Sequence, residues 1–525
     1  GAHVGLLRAH ELNRRRYCLT DPEVLRLARL ACSIERHYSN QVGHPQPMDI
    51  EWAKDGRDGR LYIVQACPET VHARHASETA QVRYLMEPTG ENPLVSGIAV
   101  GERIASGSAH ILASLEAMAE FQAGEVLVTD MTDPDWEPIM QRAAGIVTQR
   151  GGRTCHAAII ARELGIPAIV GAAEAMSKIP AASPITLDCS TGDVGEVYAG
   201  RLAFRIEAVP PLPIVRPRTQ VMLNIGNPDQ AFKLASLPVD GVGLARLEFI
   251  VNHALRVHPR AILNYDLLPA ETQRQIDTLA QGYPSPGEFY VQRLAEGVSQ
   301  IAAAFYPKPV IVRLGDFKSN EYAQLLGGRQ YEPMEENPML GLRGAARYYA
   351  AGFDGAFALE CQALKRVREE FGLLNVAVMI PFVRTINDLK AVLARMAQEG
   401  LVRGMHDLKV YVMCEIPANA LLAEDFLAHC DGFSIGSNDL TQLTLGVDRD
   451  SGLLSGYDER NPAVLSLMAL AIAACRRAGK YIGICGQAPS DFPEITRWLV
   501  EREIHSISLN PDSVLAMLPV ILAAE

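Results

Sequence analysis

One histidine lies in a sequence pattern that favours phosphate chemistry. The segment Gly151-Gly152-Arg153-Thr154-Cys155-His156 leads into an apolar helical pattern that ends at Gly165. The first turn of a helix has N–H groups without internal partners and the positive end of the dipole, so it attracts anions. Arg153 and Thr154 would add a charged and a hydroxyl donor. The pattern predicts that His156 carries a phosphoryl group on a ring nitrogen; a core or capping histidine is the alternative interpretation.

A second set of chemically capable residues follows apolar, strand-like segments in the last 300 residues. The set holds three arginines, two carboxylates, an amide and a thiol: Arg246, Arg313, Arg343, Glu415, Asp439, Asn438 and Cys485. Two carboxylates with water and substrate oxygens suit Mg²⁺, which prefers hard oxygen ligands. Glu415 and Asp439 are therefore the predicted metal ligands. The arginines could bind a carboxylate and a phosphate through paired N–H groups.

Two further parts of this set complete a predicted site for a small anion. Asn438 and the backbone of Gly436 and Ser437 would hold an oxyanion. Cys485 has small neighbours that leave space for a substrate, which makes it a candidate for proton transfer. A buried, unreactive thiol is the alternative. A phosphate-carrying histidine and a Mg²⁺/arginine site together predict phosphoryl transfer to or from a small carboxylate.

The elements that must position these residues indicate an α/β protein of several domains. Residues 219–525 alternate strands with helices, and about eight strands in 300 residues predict a (β/α)8 TIM-type barrel, with an open doubly wound sheet as the alternative. The candidate strands are 221–225, 241–247, 309–314, 376–381, 410–415, 432–435 and 481–485, with a further candidate at 339–343.

Three other segments precede that region. Residues 95–207 predict a compact mixed α/β domain, with strands at 126–128, 145–147 and 168–170. A proline-rich linker over 208–218 predicts a semi-rigid spacer. Residues 1–85 predict helices at 5–18 and 21–38 and a strand at 61–65. The chain begins with Gly1, which predicts that the front of a longer protein is missing.

Composition limits the kinds of partner. The 525 residues carry a formal charge of −12, which argues against a general nucleic-acid or anionic-membrane surface. The ten cysteines form no C-x-x-C pair. The longest apolar stretch, near 464–475, is too short to span a bilayer, and no secretory signal opens the chain. A cytoplasmic protein is expected.

The motifs also carry a family resemblance that covers nearly the whole chain. The chain resembles the phosphoenolpyruvate (PEP) synthases, or pyruvate, water dikinases, of the PEP-utilising enzyme family. Besides the His156 segment, the matching runs are TDMTDPDWEP (129–138), GLARLEF (243–249), DFKSNEY (316–322), ENPMLG (336–341), GSND (436–439) and GICGQ (483–487). The cysteine before the histidine and the Asp-Pro-Asp-Trp run resemble the synthases more than pyruvate phosphate dikinase or the sugar-transport enzyme I.

The resemblance implies the reaction ATP + pyruvate + H₂O to AMP + PEP + phosphate through a phosphohistidine. It implies a swivelling phosphohistidine domain at 95–207, a PEP/pyruvate barrel at 219–525 and, at 1–85, the end of an ATP-grasp domain. The implied roles are phosphocarrier for His156 and proton donor or acceptor for Cys485. The implied substrate contacts are Arg246, Arg313, Arg343, Gly436, Ser437 and Asn438. Glu415 and Asp439 would bind Mg²⁺, and Glu51 and Gln65 would contact the nucleotide. The resemblance also implies a homodimer through the barrel.

Three positions depart from the family pattern. Cys67 stands where the family has an arginine that meets ATP phosphates, and a neutral thiol does not replace that charge. Gly315 and Ala488 replace a usual serine and glycine. We therefore expect the chain to catalyse the exchange between phosphohistidine and PEP but not the ATP half-reaction. An enzyme I-like phosphotransferase and an inactive binding remnant are the alternatives.

Overall fold

The computed structural model describes residues 18–44, 46–68, 82–87, 92–152, 155–190, 194–208, 215–448 and 456–525. The chain divides into two compact units, one of residues 1–82 with 208–211 and one of 83–207 with 212–525. The helix predicted over 5–18 and most of the proline-rich linker lie outside the described residues, as do Arg153 and Thr154.

The first unit contains one long helix and a hairpin. Helix α1 (Asp21–Val42) begins at Thr20, whose backbone N–H donates to the Glu23 carboxylate at 2.9 Å. Strands β1 (Met48–Lys54) and β2 (Leu61–Pro68) pair antiparallel. The predicted strand at 61–65 is confirmed, and the second predicted helix continues four residues beyond 38.

A closed seven-stranded sheet, here called the small barrel, opens the second unit. Its strand order is β10-β4-β8-β7-β6-β5-β9, and the three predicted strands of this region are confirmed as β6, β7 and β8. The seven strands are β4 (Val95–Val100), β5 (Ile104–Ile111), β6 (Val126–Thr129), β7 (Gly145–Thr148), β8 (Ala168–Val170), β9 (Pro184–Asp188) and β10 (Val194–Ala199). A separate two-stranded sheet joins β3 (Val82–Met86) to β11 (Phe204–Ala208).

The predicted TIM-type barrel is confirmed. Eight parallel strands close in sequence order, because the first strand also pairs with the last; we call this domain the large barrel. They are β12 (Gln220–Ile225), β13 (Gly241–Arg246), β14 (Val310–Arg313), β15 (Val376–Ile380), β16 (Val410–Cys414), β17 (Gly432–Ile435), β18 (Tyr481–Ile484) and β19 (Ser506–Leu509). Parallel strands buried on both faces read as continuous apolar runs, which is why seven were predictable.

The strand predicted at 339–343 is wrong. Those residues form turns in which Leu340 is exposed and Arg343 is buried. The missing strand is β19, whose two serines broke the apolar pattern. Small side chains suit it, because the Oγ atoms of Ser506 and Ser508 lie where a Cβ on Gly483 or Gly243 would have to stand. The strands before Glu415, Asn438 and Cys485 are consequently the fifth, sixth and seventh.

Helices surround both barrels. In chain order after α1 they are α2 (Glu137–Met140), α3 (His156–Leu164), α4 (Ala175–Lys178), α5 (Ala231–Leu234), α6 (Leu247–Ile250), α7 (Pro259–Leu263), α8 (Ala270–Leu279), α9 (Pro286–Phe305), α10 (Ser319–Gln324), α11 (Ala345–Tyr348), α12 (Asp354–Lys365), α13 (Ile386–Gln398), α14 (Pro417–Leu421), α15 (Ala423–Leu427), α16 (Ser437–Leu445), α17 (Pro462–Arg477), α18 (Ala488–Asp491), α19 (Pro493–Val500) and α20 (Val514–Ala524). π-Helical turns follow α6 and α12. Within the described ranges, every helix is too short or too polar to cross a membrane.

The chain enters the large barrel at the amino-terminal ends of its strands. The backbone N–H groups of Arg218 and Thr219, just before β12, donate to the Glu525 carboxylate at 2.9 and 2.6 Å. The opposite face, at the carboxyl ends of the strands, is where TIM barrels place their chemistry.

Candidate active site

A cavity of about 560 Å³ lies at the carboxyl-terminal face of the large barrel, and residues of the small barrel line part of it. Most of the predicted site residues meet there. Those that line it are His156, Arg246, Arg313, Arg343, Glu415, Gly436, Asn438, Asp439 and Cys485. The structure thus brings the predicted histidine and the predicted anion site together.

His156 is the first residue of helix α3, which ends at Gly165 with a φ of 67°. His156 is half-buried and lines the cavity, and its Nδ1 lies 3.1 Å from Oγ1 of buried Thr132. Burial, followed by the positive charge of Lys318, lowers the pKa of His156 to about 3. The imidazole is therefore neutral at physiological pH, as a nitrogen nucleophile must be.

Glu415 and Asp439 follow β16 and β17 and are both buried. Oε1 of Glu415 accepts the backbone N–H of Phe382 at 2.6 Å, but its buried Oε2 has no hydrogen-bond partner. Burial, followed by the charges of Asp439 and Asp316, raises the pKa of Glu415 to about 8. A buried carboxylate oxygen without a donor and a neighbouring carboxylate fit a hard cation such as Mg²⁺.

Protein side chains alone do not complete a metal site here. In the ranges that the structure describes, no three His, Cys, Asp or Glu side chains are grouped as metal ligands. Glu415 and Asp439 would therefore share a cation with oxygens of water or substrate, which is how Mg²⁺ is commonly held.

Carboxylates hold Arg343 and Arg313 in place. Buried Arg343 forms a two-pronged pair with Asp316, Nε–Oδ1 at 3.0 Å and Nη2–Oδ2 at 2.6 Å. Arg313 lies 3.0 Å from a Glu248 carboxylate oxygen through Nη2. Arg246 ends strand β13 and reaches the cavity wall. The three side chains place several positive groups around one cavity.

The Gly436-Ser437-Asn438 run begins helix α16. A Cβ on Gly436 would stand 2.9 Å from both Cβ and Oε2 of Glu415, so only glycine fits beside that carboxylate. Oδ1 of Asn438 accepts the backbone N–H of Gln487 at 2.9 Å, which leaves the NH₂ group as the donor for an anion. Ser437 is buried, does not line the cavity, and its Oγ lies 3.4 Å from Glu459.

Cys485 directly follows β18 and is 3% exposed. Its Sγ lies 3.7 Å from the carbonyl oxygen of Ile435. Burial raises the pKa of Cys485 to about 11, although a hydrogen bond with Ser434 and the nearby charges of Arg313 and Arg246 act in the opposite direction. The group is a thiol at neutral pH and has a proton to donate.

Glu51 and Gln65 lie in the first unit, where they face each other across the β1–β2 pair. Both are exposed, and Nε2 of Gln65 lies 2.9 Å from Sγ of Cys67. Their predicted nucleotide contacts stay a prediction.

Sequence reasoning assigned no role to several residues that the structure places in the site. Thr132 contacts the histidine, Asp316 and Glu248 hold arginines, and the charge of Lys318 helps to lower the pKa of the imidazole. Asp316 and Glu248 stood beside predicted strand ends and could have been found as carboxylates near arginines. Thr132 carried no local signal, because its partner is 24 residues away.

Three family models match the chain. The PEP-binding domain of PEP-utilising enzymes matches residues 213–524, and the mobile domain of the same enzymes matches 121–192. The AMP/ATP-binding domain of pyruvate phosphate dikinase matches residues 4–87.

The chain is also similar to phosphoenolpyruvate synthases of three bacteria. It is 56% identical to that of Pseudomonas aeruginosa, 54% to that of Deinococcus radiodurans and 55% to that of Escherichia coli. The alignments cover 98, 96 and 95% of this chain but 64, 64 and 62% of the relatives. The chain therefore spans less than two thirds of the length of these relatives.

Proposed function

Because the chain belongs to the family of PEP-utilising enzymes, we propose that it transfers a phosphoryl group between His156 and pyruvate, the PEP-forming half of the phosphoenolpyruvate synthase reaction. The observation that carries this proposal is the shared cavity: a neutral histidine faces arginines, two buried carboxylates and a thiol. Residues 95–207 would act as the phosphohistidine domain and 219–525 as the PEP/pyruvate domain.

In the direction from PEP, the step at His156 breaks the P–O bond of PEP and forms a P–N bond. When Nδ1 carries the ring proton and donates a hydrogen bond to Oγ1 of Thr132, the lone pair of Nε2 is the nucleophile. The low pKa of the imidazole keeps that lone pair available. The product on the substrate side is the enolate of pyruvate.

Around the substrate, positive and N–H groups of the chain would bind the carboxylate and the phosphoryl group. Arg246, Arg313 and Arg343 supply charge, and the Asn438 amide supplies a donor. Mg²⁺, when bound by Glu415 and Asp439, would stabilise negative charge on the substrate oxygens. The fixed pairs of Arg313 and Arg343 with carboxylates keep both guanidinium groups in place before substrate arrives.

Cys485 completes the half-reaction by proton transfer at carbon. In the direction from PEP, its thiol gives a proton to the methylene carbon of the enolate and produces pyruvate. The raised pKa favours this donor role, and the opposing effect of the two arginines lowers the cost of the thiolate that the reverse direction needs.

For the whole protein, the proposal extends to ATP + pyruvate + H₂O giving AMP + PEP + phosphate. Glu51 and Gln65 would contact the nucleotide, and Cys67 would weaken that contact because it brings no charge to the phosphates. A cytoplasmic location and a homodimer through the large barrel are further parts of the proposal. None of the ten cysteines, all of which lie in the described ranges, forms a disulfide, which supports a reducing compartment.

Phosphate transfer from labelled PEP tests the half-reaction. The protein is incubated with ³²P-labelled PEP and Mg²⁺, and acid-labile, base-stable label on protein is counted. We expect label on the wild type and on His110→Ala, whose histidine lies in the small barrel away from the cavity, and none on His156→Ala. A folded wild type without label contradicts the proposal and favours the inactive binding remnant.

A further inference from the structure

Helix α3 carries a second charged contact besides the reactive histidine. Arg162 lies six residues after His156 and places Nη2 3.0 Å from Oδ1 of Asp491, at the end of α18 in the large barrel. Both side chains are 7% exposed. We infer that Arg162 and Asp491 are positioning residues whose ion pair docks the small barrel so that His156 stands over the substrate cavity.

The receiving side of this contact connects directly to the substrate site. Nη1 of Arg162 lies 3.4 Å from Oε1 of Gln487, which also accepts Nδ2 of Asn510 at 2.7 Å. The backbone N–H of Gln487 donates to Oδ1 of Asn438, and Gln487 is two residues after Cys485. Gln487 therefore contacts both the docking residue Arg162 and the side chain of Asn438, and it belongs to the segment that follows β18 and carries Cys485.

The charge around Asp491 explains why a cation should dock there. Glu459 is 4% exposed and lies close enough that Asp491 adds to the effect of burial on its pKa, which rises to about 7. Nearby Arg460 is held by Asp458 and Glu494 instead. Withdrawal of Arg162 would remove a cation from a buried carboxylate that lies beside Glu459, and removing one member of a buried ion pair is costly.

A second contact, in the π-helical turn after β13 and α6, would fix the rotation of the small barrel. Glu137 in α2 lies 3.3 Å from Nε2 of His253, and its other oxygen accepts Nδ2 of Asn252 at 3.3 Å. His253 follows β13, whereas Asp491 follows β18. Two separated contacts define an orientation that a single contact would leave free, and accurate orientation is a large part of phosphoryl-transfer catalysis.

The inference rests on the proposed function, and substitutions of the pair test it. We expect Arg162→Ala to slow labelling of His156 at saturating PEP about 100-fold, the scale expected when a reacting group is misplaced by about 1 Å. Equilibrium binding of PEP with Mg²⁺ should not change. Arg162→Lys keeps the positive charge but not the planar guanidinium group, so its labelling rate should fall less than that of Arg162→Ala. Lys178→Ala removes an exposed ion pair of the same domain and serves as the control.

Charge reversal distinguishes docking from a merely structural role. Arg162→Asp and Asp491→Arg should each slow labelling, and the double variant should recover most of the rate, because the pair is restored with the charges exchanged. No recovery in a double variant that melts like the wild type would overturn the inference.

Amide hydrogen exchange measures docking of the small barrel on the large barrel independently of phosphoryl transfer. In Arg162→Ala, exchange over 156–164 and 487–491 should become faster, while exchange over the strands of the small barrel stays as in the wild type. If the wild type is not labelled by PEP, the proposed function fails and exchange still decides the docking pair. Unchanged exchange and labelling in Arg162→Ala would overturn the inference.

Discussion

Oγ1 of Thr132 lies 3.1 Å from Nδ1 of His156, and the two residues belong to different connections of the small barrel. Thr132 follows β6 and His156 begins the helix after β7. The contact restrains rotation of the imidazole ring and engages Nδ1, which makes Nε2 the nitrogen that we assign to phosphoryl transfer.

Loss of this contact should impair transfer more than stability. Thr132→Val keeps the shape but removes the hydroxyl, so we expect about 1 kcal/mol less free energy of unfolding. Labelling of His156 from PEP should slow about 10-fold or more, because the ring is no longer oriented. Thr132→Ser, which keeps the hydroxyl, should label at nearly the wild-type rate in rapid-quench experiments. Equal rates for valine and serine would contradict the role.

The low pKa of His156 predicts a pH dependence of stability. Its folded pKa of about 3 lies below the ordinary value of 6.5, so between these values the unfolded chain binds a proton that the folded protein does not. Stability should therefore be complete above pH 6.5 and fall as the pH decreases towards 3. Relative to His156→Gln, the wild type should lose up to about 2 kcal/mol in the free energy of unfolding between pH 7 and 5. Urea titrations at both pH values measure the difference.

Glu415→Gln should separate stability from activity. The folded pKa of about 8 lies above the ordinary value of 4.5, so the charged group opposes folding as the pH rises through this window. Without Mg²⁺, the variant should melt at the same or a higher temperature than the wild type at pH 8. Its labelling by PEP should fall on the order of 100-fold at a fixed Mg²⁺ concentration, since a ligand is lost. A variant that melts lower and labels normally would refute the metal role.

Cys485→Ala should block hydrogen exchange at the pyruvate methyl group. The wild type, once phosphorylated, is expected to exchange these hydrogens with D₂O, which proton NMR follows directly. The variant should retain PEP binding. Cys430→Ala is the matched control, because Cys430 is also buried but lies outside the cavity. Exchange that persists in Cys485→Ala would assign the proton to another group.

Local patterns were sufficient for most of the large barrel and for the residues at its strand ends. Buried parallel strands such as Val376–Ile380 are uniformly apolar, and TIM-barrel geometry then gathers Glu415, Asp439 and Cys485 at one face. The same logic failed at β19, where Ser506 and Ser508 are small enough for the barrel interior but appear polar in sequence.

Pairings between distant residues could not be predicted in this way. The apolar residues of 339–343 favoured a strand. In the structure this segment is a turn in which Arg343 is buried against Asp316, 27 residues away. Arg162 and Asp491 are 329 residues apart and meet only because two domains touch. Such contacts depend on tertiary geometry, for which neither periodicity nor composition carries a signal.

The attachment of the large barrel at Arg218 and Thr219 has a consequence for how its two faces divide their tasks. The chain enters the large barrel at the amino-terminal ends of its strands, and the cavity opens at the carboxyl-terminal ends. A connection at the amino-terminal ends of the strands does not by itself determine where the small barrel docks around the opposite, carboxyl-terminal face. Side chains at the carboxyl-terminal face must determine the docking position. Substitutions of these side chains would therefore change where His156 is placed without any change in the connection.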